Sequence, residues 1–300
     1  MLSGTLLRSL NKSSVMLRNC SSGSNDLKSL LITKMGKVVT IGINRPSKRN
    51  CVDSKTANLL KGAIKEFEED SSLHAGVLYG TGGNFCAGYD LNELANLDKV
   101  DYLNTINDEG SMGPTLRHIK KPMVAAISGY AVAGGLELAL MCDLRVMEDT
   151  AILGVYNRRF GIPLVDGGTV RLQAMVGLSR TLDLILTGRS LTAKEALEWG
   201  VANRIVACGT ALGQAISLAT SLVKFPQECL QADRESTYNA AYNSAFRELS
   251  KFEQNTAKRI FKESIEGAKK FVSGFGRHGK SYNLTEKDIC DWEREFKSKL

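Results

Sequence analysis

The sequence predicts an α/β core followed by a helical C-terminal part, and two patterns indicate this. Short runs rich in Val, Ala and Ile alternate with amphipathic stretches up to about residue 225, as in proteins whose helices cover a sheet. After Pro226 almost every stretch has helical periodicity. We therefore divide the chain into a tail of residues 1–27, a core of residues 28–225 and a helical region of residues 226–300. The helical region could form a subunit interface as easily as a separate domain.

The core begins with two strands, a helix and a buried strand. The stretch LKSLLITKMGKVVTIGIN is predicted to form two short strands that turn at Gly36. The following VDSKTANLLKGAIKEFEED is predicted to be a helix capped near Asp53, because its apolar residues fall on one helical face. AGVLYG is then a buried strand, and it ends in the glycine-rich loop GTGGNFCAGYD.

The second half of the core contains an apolar helix with one acid in it. A polar helical stretch reaches Lys121, the strand MVAAISG follows, and YAVAGG opens the helix that contains Glu137. Residues 152–169, ILGVYNRRFGIPLVDGGT, are predicted to be irregular. The helices TLDLILTG and TAKEALEWG each end at a glycine, Thr192 is the predicted N-cap of the second, and ANRIV is the last predicted strand.

The N-terminal tail has the composition of a mitochondrial transit peptide. It is rich in Ser, contains Arg8, Lys12 and Arg18, and has no acidic residue before Asp26. Its leucines are spaced so that they could share one helical face. We therefore expect the protein in the mitochondrial matrix, and a disordered tail is the alternative interpretation.

Composition and charge exclude several classes of protein. The 300 residues are 43% hydrophobic and 24% charged, which is ordinary for a globular protein with a full core. No apolar run approaches the roughly 18 residues that span a bilayer, so no membrane span is expected. The net charge of +7 is not arranged as a basic stripe with interleaved aromatic residues, so no nucleic-acid partner is expected.

Neither cysteine spacing nor a phosphate-binding motif indicates a cofactor. The seven cysteines form no C-x-x-C pair and the three histidines are scattered, so the sequence predicts a reducing compartment and no metal site. GFGRHGKS, residues 274–281, matches the P-loop pattern. A working P-loop needs a buried strand before it, whereas here a charged stretch precedes it, so we do not expect phosphate binding.

Two glycine-containing turns are candidate parts of an anion site. The pair Gly134 and Gly135 opens a helix, so free backbone amides face the space before it. Together with the loop after FCAG, they could form an oxyanion hole for a thioester carbonyl. Glu137 lies one turn inside the helix, where it could face the same point. The alternative is a buried structural glutamate paired with an arginine.

Several blocks together resemble one known family. NRPSKRNCVD, GTGGNFCAGYDL, PMVAAISGYAVAGGLELALMCDLRV, FGIPLVDGGTVRL and LTGRSLTAKEALEWGVANRIV are similar, in this order, to the crotonase or enoyl-CoA hydratase/isomerase superfamily. The resemblance covers roughly residues 30–225. It implies a crotonase-like spiral of ββα units and a helical C-terminal region that builds homotrimers or homohexamers. It also implies an acyl-CoA substrate, with coenzyme A as part of that substrate and no other cofactor.

The resemblance also implies roles for particular residues. The backbone amides of Tyr89 and Gly134 would form the oxyanion hole, and Glu137 would be a catalytic glutamate whose burial raises its pKa toward neutrality. The residues implied in binding the acyl chain and coenzyme A are Lys48, Arg49, Cys86, Ala87, Tyr89, Asp90, Leu91 and Gly134.

The sequence departs from the hydratase pattern at one position. Alignment through the glycines of this block places Asn157 where similar hydratases carry a second glutamate, and an amide cannot exchange a proton. Asp166 is the candidate substitute, with Arg158 and Arg159 available to hold it ionised. The alternative for Asp166 is an N-terminal helix cap, because it precedes two glycines and Thr169.

The expected activity is enoyl-CoA hydration, with Glu137, Asp166 and Asn157 as the candidate catalytic residues. Double-bond isomerisation is the first alternative, because one carboxylate that moves a proton would suffice for it. Decarboxylation or thioester hydrolysis is a further alternative. The competing class is a protein that binds acyl-CoA without catalysis. In such a protein, Asn157 would indicate that the catalytic activity has been lost.

Overall fold

The structure is a computed structural model that describes residues 29–242, 246–259 and 261–274. The predicted transit peptide lies outside the described residues. So does the P-loop-like stretch after Gly274. In the part that the structure describes, no helix is long and apolar enough to cross a membrane.

The described chain alternates strands and helices and ends in helices. The strands are β1 (Leu30–Met35), β2 (Val38–Ile43), β3 (Ala75–Gly80), β4 (Met123–Ile127), β5 (Tyr130–Val132), β6 (Leu144–Glu148), β7 (Ile152–Gly154), β8 (Ser190–Thr192) and β9 (Arg204–Val206). The helices of the core are α1 (Ser54–Glu69), α2 (Leu91–Leu94), α3 (Lys99–Thr105), α4 (Gly134–Met141), α5 (Gly168–Thr187), α6 (Ala193–Glu198) and α7 (Ala211–Leu222). The C-terminal helices are α8 (Gln227–Tyr242), α9 (Phe246–Arg259) and α10 (Phe261–Val272).

Two sheets organise the core. The larger sheet has the strand order β1-β2-β3-β4-β6-β9, and the smaller has the order β5-β7-β8. In the larger sheet only the β1–β2 pair is antiparallel, and every later pair is parallel. The parallel pairs are consistent with the alternating strand and helix pattern of the sequence, because parallel neighbours need a crossover between them.

The larger sheet is buried on both faces, and β2 illustrates why. All six of its residues, VVTIGI, are buried. Ile41 packs into the same hydrophobic core as Leu60 of α1. Val38 faces the other way, into a second core to which α7 contributes Leu218. Strands covered on both faces have near-continuous apolar sequences, as these do.

The α/β prediction with C-terminal helices is confirmed, and several elements differ from the sequence interpretation. The segment predicted to be irregular contains β7 and a 3-10 helix at Tyr156–Phe160. Strands β5, β6 and β8, as well as helix α7, were not predicted individually. Strands β5 and β8 have only three residues each, which is too short for an alternation of apolar and polar residues to be visible.

The C-terminal helices pack back onto the core at two places. Arg234 and Tyr238 of α8 both donate to Asp143 Oδ1 at 2.7 Å. At the other place, Ser264 of α10 accepts a 3.4 Å hydrogen bond from the Tyr102 hydroxyl and donates to the carbonyl of Gly161 at 3.3 Å. Helix α10 therefore lies against α3 and against the chain after the 3-10 helix.

Candidate active site

A cavity of about 590 Å³ lies between the core and α10. Its walls come from segments that are far apart in sequence, from Ser47 to Phe271. The three candidate catalytic residues, Glu137, Asn157 and Asp166, all line it. The fold therefore brings together in one cavity the side chains that the sequence singled out.

Glu137 is held by backbone amides. Its side chain belongs to α4 and the residue is 2% exposed. Its Oε1 accepts hydrogen bonds from the amide of Asp166 at 2.9 Å and from the amide of Gly168 at 2.8 Å. These donors stabilise a carboxylate that would otherwise be costly to bury. The amide of Gly168 belongs to the first turn of α5, where anions are favoured.

Gly168 has no room for a side chain. A Cβ built on Gly168 would lie 2.9 Å from both Cγ and Oε1 of Glu137. Real Cβ atoms essentially never approach that closely, so the carboxylate would have to move. The glycine therefore allows the acid on α4 to reach the amides at the start of α5.

Asp166 is buried and accepts three hydrogen bonds. It is 1% exposed, and its Oδ2 accepts from the Ser111 hydroxyl at 2.5 Å. Its Oδ1 accepts from the Met112 amide at 3.0 Å and from the Thr115 hydroxyl. The predicted alternative of a helix cap is wrong, because the N-cap of α5 is Gly167 and the Asp166 carboxylate accepts from Ser111, Met112 and Thr115 instead.

The predicted partners of Asp166 were also wrong. Arg158 donates to the carbonyl of Ile185 at 3.0 Å, and Arg159 donates to the carbonyl of Gly188 at 3.0 Å. The arginine that contacts Asp166 is Arg171, which donates to its backbone carbonyl at 2.9 Å. Arg158 and Arg159 belong to the 3-10 helix, and Arg159 lines the cavity, whereas Arg171 lies in the first turn of α5.

Asn157 presents an unpaired acceptor. The residue is 8% exposed and lines the cavity. Its Nδ2 donates to the carbonyl of Ile162 at 2.7 Å, whereas its Oδ1 is buried and has no hydrogen-bond partner. Buried polar atoms are seldom left unpaired, so this oxygen requires an explanation.

Two backbone amides beside the cavity lack acceptors. Within residues 29–242, 246–259 and 261–274, neither Tyr89 nor Gly134 donates its amide to an acceptor. The two segments approach closely, because a Cβ built on Gly88 would lie 3.2 Å from the Gly134 nitrogen. Gly88 has φ +100°, a conformation that favours glycine. Two convergent free amides are the usual composition of an oxyanion hole.

Ala133 has a strained backbone immediately before the Gly134 amide. Its φ is 53° and its ψ is −128°, which an L-residue with a Cβ rarely adopts. Such conformations cost on the order of 1–3 kcal/mol and persist where the surrounding structure enforces them. Here the strain accompanies the turn from β5 into α4, and this turn directs the Gly134 amide.

Comparisons with known proteins agree on one family. The enoyl-CoA hydratase/isomerase family model matches residues 33–275. A probable enoyl-CoA hydratase of Rhizobium meliloti is 33% identical over 248 residues, which are 82% of this chain and 95% of that protein. A probable mitochondrial enoyl-CoA hydratase of Dictyostelium discoideum is 32% identical over 80% of this chain and 86% of that one. The crystal structure of an enoyl-CoA hydratase from Mycobacterium tuberculosis matches with a TM-score of 0.68 and 30% identity, over 82% of this chain and 96% of that chain.

The chain belongs to the enoyl-CoA hydratase/isomerase family. The crotonase-like fold predicted from the sequence blocks is thereby confirmed. In this family member, seven of the eight residues predicted to bind substrate line the cavity. They are Lys48, Arg49, Ala87, Tyr89, Asp90, Leu91 and Gly134.

Cys86 is the exception, and its predicted place in the lining is corrected. It is fully buried and absent from the cavity wall, and its Sγ accepts a 3.4 Å hydrogen bond from the amide of Gly88. Burial raises the pKa of its thiol above the ordinary range. Cys86 therefore supports the turn that carries Tyr89 from behind the cavity wall.

Asp90 lines the cavity and forms ion pairs with two basic side chains. Its Oδ2 accepts from Arg45 at 2.9 Å and from Lys48 at 2.7 Å. Burial alone would raise the pKa of Asp90, but hydrogen bonds from Lys48, Asn92 and Arg45 hold it below the usual value. Lys48 thus forms an ion pair within the protein, although its side chain remains 47% exposed.

Sequence reasoning missed several residues of the site. Ser111, Met112 and Thr115 hold Asp166, and they come from the loop after α3, which carries no motif. Phe271 of α10 lines the cavity from the far end of the described chain. No signal in a single sequence could have linked these positions, because only the tertiary fold brings them together.

Proposed function

We propose that this chain is an enoyl-CoA hydratase that acts on acyl-CoA thioesters. The observation that carries the proposal is a pair of acceptor-free amides, on Tyr89 and Gly134, beside the cavity that the buried carboxylate of Glu137 lines. A thioester carbonyl that accepts from both amides would be stabilised as its oxygen gains negative charge. The family and the named hydratase relatives support the same chemistry.

The proposed reaction adds water across the double bond next to the thioester. The water oxygen forms a bond to the β-carbon while the π electrons of the double bond move toward the carbonyl, which becomes an enolate in the oxyanion hole. Glu137 takes the proton that water loses and delivers a proton to the α-carbon, which regenerates the carbonyl. Its oxygen Oε1 is anchored by two amides, so the carboxylate is held in one orientation.

We assign Asp166 a supporting part in this reaction. Its backbone amide donates to Glu137, and three donors hold its own carboxylate. These contacts fix the position of Asp166, and its backbone amide in turn orients the Glu137 carboxylate. Asp166 stays a candidate for the second proton-transferring group, and its variant is considered below.

Double-bond isomerisation is the second candidate, and Asn157 is the observation that favours it. An amide at this place cannot remove a proton from water, and loss of a general base typically costs about 10²- to 10⁴-fold in rate. Moving a double bond needs only removal of one proton and its return elsewhere, which Glu137 could perform alone. Parallel assays with two substrates separate the reactions. Hydration consumes a 2-enoyl-CoA, whereas isomerisation converts a 3-enoyl-CoA into a 2-enoyl-CoA.

The deciding experiment is the loss of ultraviolet absorbance of crotonyl-CoA, followed with the wild type and with Glu137→Gln. We expect loss of the conjugated thioester in the wild type and a decrease of at least about 100-fold in the variant. Titration calorimetry with butyryl-CoA, which cannot react, measures binding separately. Binding without turnover of either enoyl-CoA would leave a non-catalytic acyl-CoA binder, and no binding would reject the acyl-CoA assignment.

We also propose a location and a metabolic setting. The tail of residues 1–27 supports import into the mitochondrial matrix by its composition, and the Dictyostelium discoideum relative is described as mitochondrial. Fatty-acid or related acyl-CoA metabolism is the setting that this substrate class suggests. Fusion of residues 1–27 to a fluorescent protein tests the location, and a cytosolic signal would reject it.

We further propose that the protein is a homotrimer or homohexamer. Leu178, Leu182 and Leu186 are 62%, 41% and 70% exposed and follow one another at intervals of four on α5. A row of exposed leucines on one helix face is typical of a surface that another chain covers. This row lies after the break of α5 at Gly177.

A further inference from the structure

The backbone around Tyr89 is held by an extended pairing. The amide of Val52 donates to the carbonyl of Gly88 at 2.9 Å, and the amide of Asp90 donates to the carbonyl of Val52 at 2.8 Å. Val52 and Tyr89 are thus partners in a parallel bridge. In such a bridge the groups on either side of Tyr89 make the hydrogen bonds, so its own amide faces away from Val52. This pairing explains why the Tyr89 amide is left without an acceptor.

The side chain of Tyr89 is anchored at a second place. Its hydroxyl lies 2.9 Å from Ser54 Oγ in the first turn of α1. Ser54 is in turn held by Glu93 of α2, because its hydroxyl donates to Oε1 at 2.5 Å and its amide donates to Oε2 at 3.0 Å. The ring of Tyr89 is therefore tied to both α1 and α2.

The direction of these hydrogen bonds follows from the number of protons. A serine hydroxyl has one hydrogen, and Ser54 donates it to the Glu93 carboxylate. The Tyr89 hydroxyl must then donate to Ser54. Burial and the nearby Glu93 carboxylate raise the pKa of the Tyr89 hydroxyl above its ordinary value, so it keeps the proton that it donates. A chain of donors that ends on a charge is stronger than an isolated neutral pair.

Ser54 and Glu93 lie behind the cavity wall. Tyr89 lines the cavity, whereas neither Ser54 nor Glu93 does. An effect of the Ser54 hydroxyl on a ligand would therefore pass through the Tyr89 side chain. Side-chain rotamers and backbone dihedral angles depend on each other, so a ring that is held at its tip also restricts the φ angle of Tyr89. That angle sets the direction of the Tyr89 amide.

We propose that Ser54, held by Glu93, is a positioning residue that acts through the Tyr89 hydroxyl and fixes the direction of the Tyr89 amide in the oxyanion hole. The inference rests on the proposed function, because it requires a thioester oxygen that accepts from this amide. Ser54 transfers no proton and touches no substrate, and the proton transfer remains with Glu137.

The inference predicts a larger effect on the reaction than on binding. An oxyanion hole acts most strongly when the thioester oxygen becomes charged, so kcat for crotonyl-CoA should fall more than the affinity for butyryl-CoA, which does not react. We expect Tyr89→Phe and Ser54→Ala each to lower kcat about tenfold, which is less than the roughly 100-fold typical of a removed oxyanion donor, because the pairing with Val52 remains.

Both substitutions remove the same hydrogen bond, so their effects should not add. We expect the double variant to have the kcat of the slower single variant. Ser72→Ala is the matched control, because its hydroxyl also donates to a carboxylate, Asp70 Oδ1 at 2.5 Å, at an exposed position. Full activity is expected for this control. Losses that multiply in the double variant, or an unchanged kcat in both single variants, would overturn the inference.

Infrared difference spectra of bound butyryl-CoA, with an isotopic label at the thioester carbonyl, give a second readout that does not depend on turnover. Hydrogen bonds from the amides of Tyr89 and Gly134 weaken the carbonyl bond, so binding should shift its stretching band to lower frequency. We expect a smaller shift in Tyr89→Phe and Ser54→Ala than in the wild type and Ser72→Ala. An equal shift in all four proteins overturns the inference and leaves the proposed function intact, whereas failure of the wild type to bind butyryl-CoA rejects the proposed function and the inference with it.

Discussion

The amide of Gly168 donates a 2.8 Å hydrogen bond to the carboxylate of Glu137, and thereby fastens the buried acid of α4 to the first turn of α5. Gly168→Ala tests this relationship, because the added Cβ would come within 2.9 Å of the carboxylate. We expect kcat for crotonyl-CoA to fall by about 100-fold, the typical effect of a displacement near 1 Å.

Gly62→Ala is the matched control for that substitution. Gly62 lies within α1, and a Cβ there would meet nothing within 4 Å. We expect full activity and a slight gain in stability, since Ala is favoured over Gly inside a helix by up to about 1 kcal/mol. Equal activity of both alanine variants would show that the Glu137 carboxylate tolerates displacement.

Asp166→Asn distinguishes an orienting from a proton-transferring role of that residue. An asparagine keeps an oxygen for the Met112 amide and the Thr115 hydroxyl, and its amide can donate to Ser111. We therefore expect kcat to fall less than about tenfold, well short of the loss typical when a general base is removed. A loss as large as that of Glu137→Gln, in steady-state assays with crotonyl-CoA, would instead give Asp166 the second proton transfer.

Gly88→Ala tests the proposed oxyanion hole. Its Cβ would contact Ala133 Cβ at 3.1 Å and the Gly134 nitrogen at 3.2 Å, in addition to the strain of φ +100°. Gly83→Ala has comparable backbone strain, φ +83°, with nothing within 4 Å. We expect a loss of about 10²-fold or more in kcat for Gly88→Ala and little change for Gly83→Ala. Similar rates for the two variants would argue against an oxyanion hole at this turn.

Stability should depend on pH through His118. Burial, reinforced by Arg171 and Arg234 and opposed by Asp143, lowers the pKa of His118 from its ordinary 6.5 to about 4. The unfolded chain therefore binds a proton at a higher pH than the folded chain does. The contribution of His118 to the free energy of unfolding should be constant well above pH 6.5 and should fall as the pH drops through 6.5 toward 4.

His118→Phe should remove this dependence and keep the packing. The imidazole lies 4.3 Å from the ring of Tyr238 and 5.5 Å from that of Tyr242, centroid to centroid. Phenylalanine preserves a ring there without a titrating group. Urea unfolding at pH 6.5 and pH 5 would measure the difference, and an identical decrease in both proteins would assign the effect to other groups.

Leu186→Asp tests the proposed oligomer. Leu186 is 70% exposed and Leu178 is 62% exposed on the same face of α5. A charge introduced within a covered apolar surface opposes association because it must be desolvated. We expect light scattering to give a trimer or hexamer for the wild type and smaller species for the variant. An unchanged mass would place the interface elsewhere, and a monomeric wild type would reject the oligomer.

The sequence predicted those parts of the site that depend on local patterns. The glycines that open α4 and the acid one turn later could be identified because helix geometry fixes their spacing. The partners of the Asp166 carboxylate could not be predicted, since Ser111, Met112 and Thr115 reach it only through the tertiary fold. The unpaired oxygen of Asn157 could not be predicted either. It depends on the Ile162 carbonyl, which accepts a hydrogen bond from the side-chain nitrogen of Asn157 in a turn that has no sequence pattern.

The wall that α10 contributes to the cavity connects ligand binding to a helix that lies far along the sequence from the other walls. Phe271 lines the cavity, and its ring lies 5.1 Å from that of Phe160. A thioester in the cavity would contact the core and α10 together, so each opening of that helix would forfeit binding free energy. Occupancy should consequently slow proteolysis within α10, by a factor that grows with ligand concentration. The rate of proteolysis within α10 would then report how much of the protein has ligand bound.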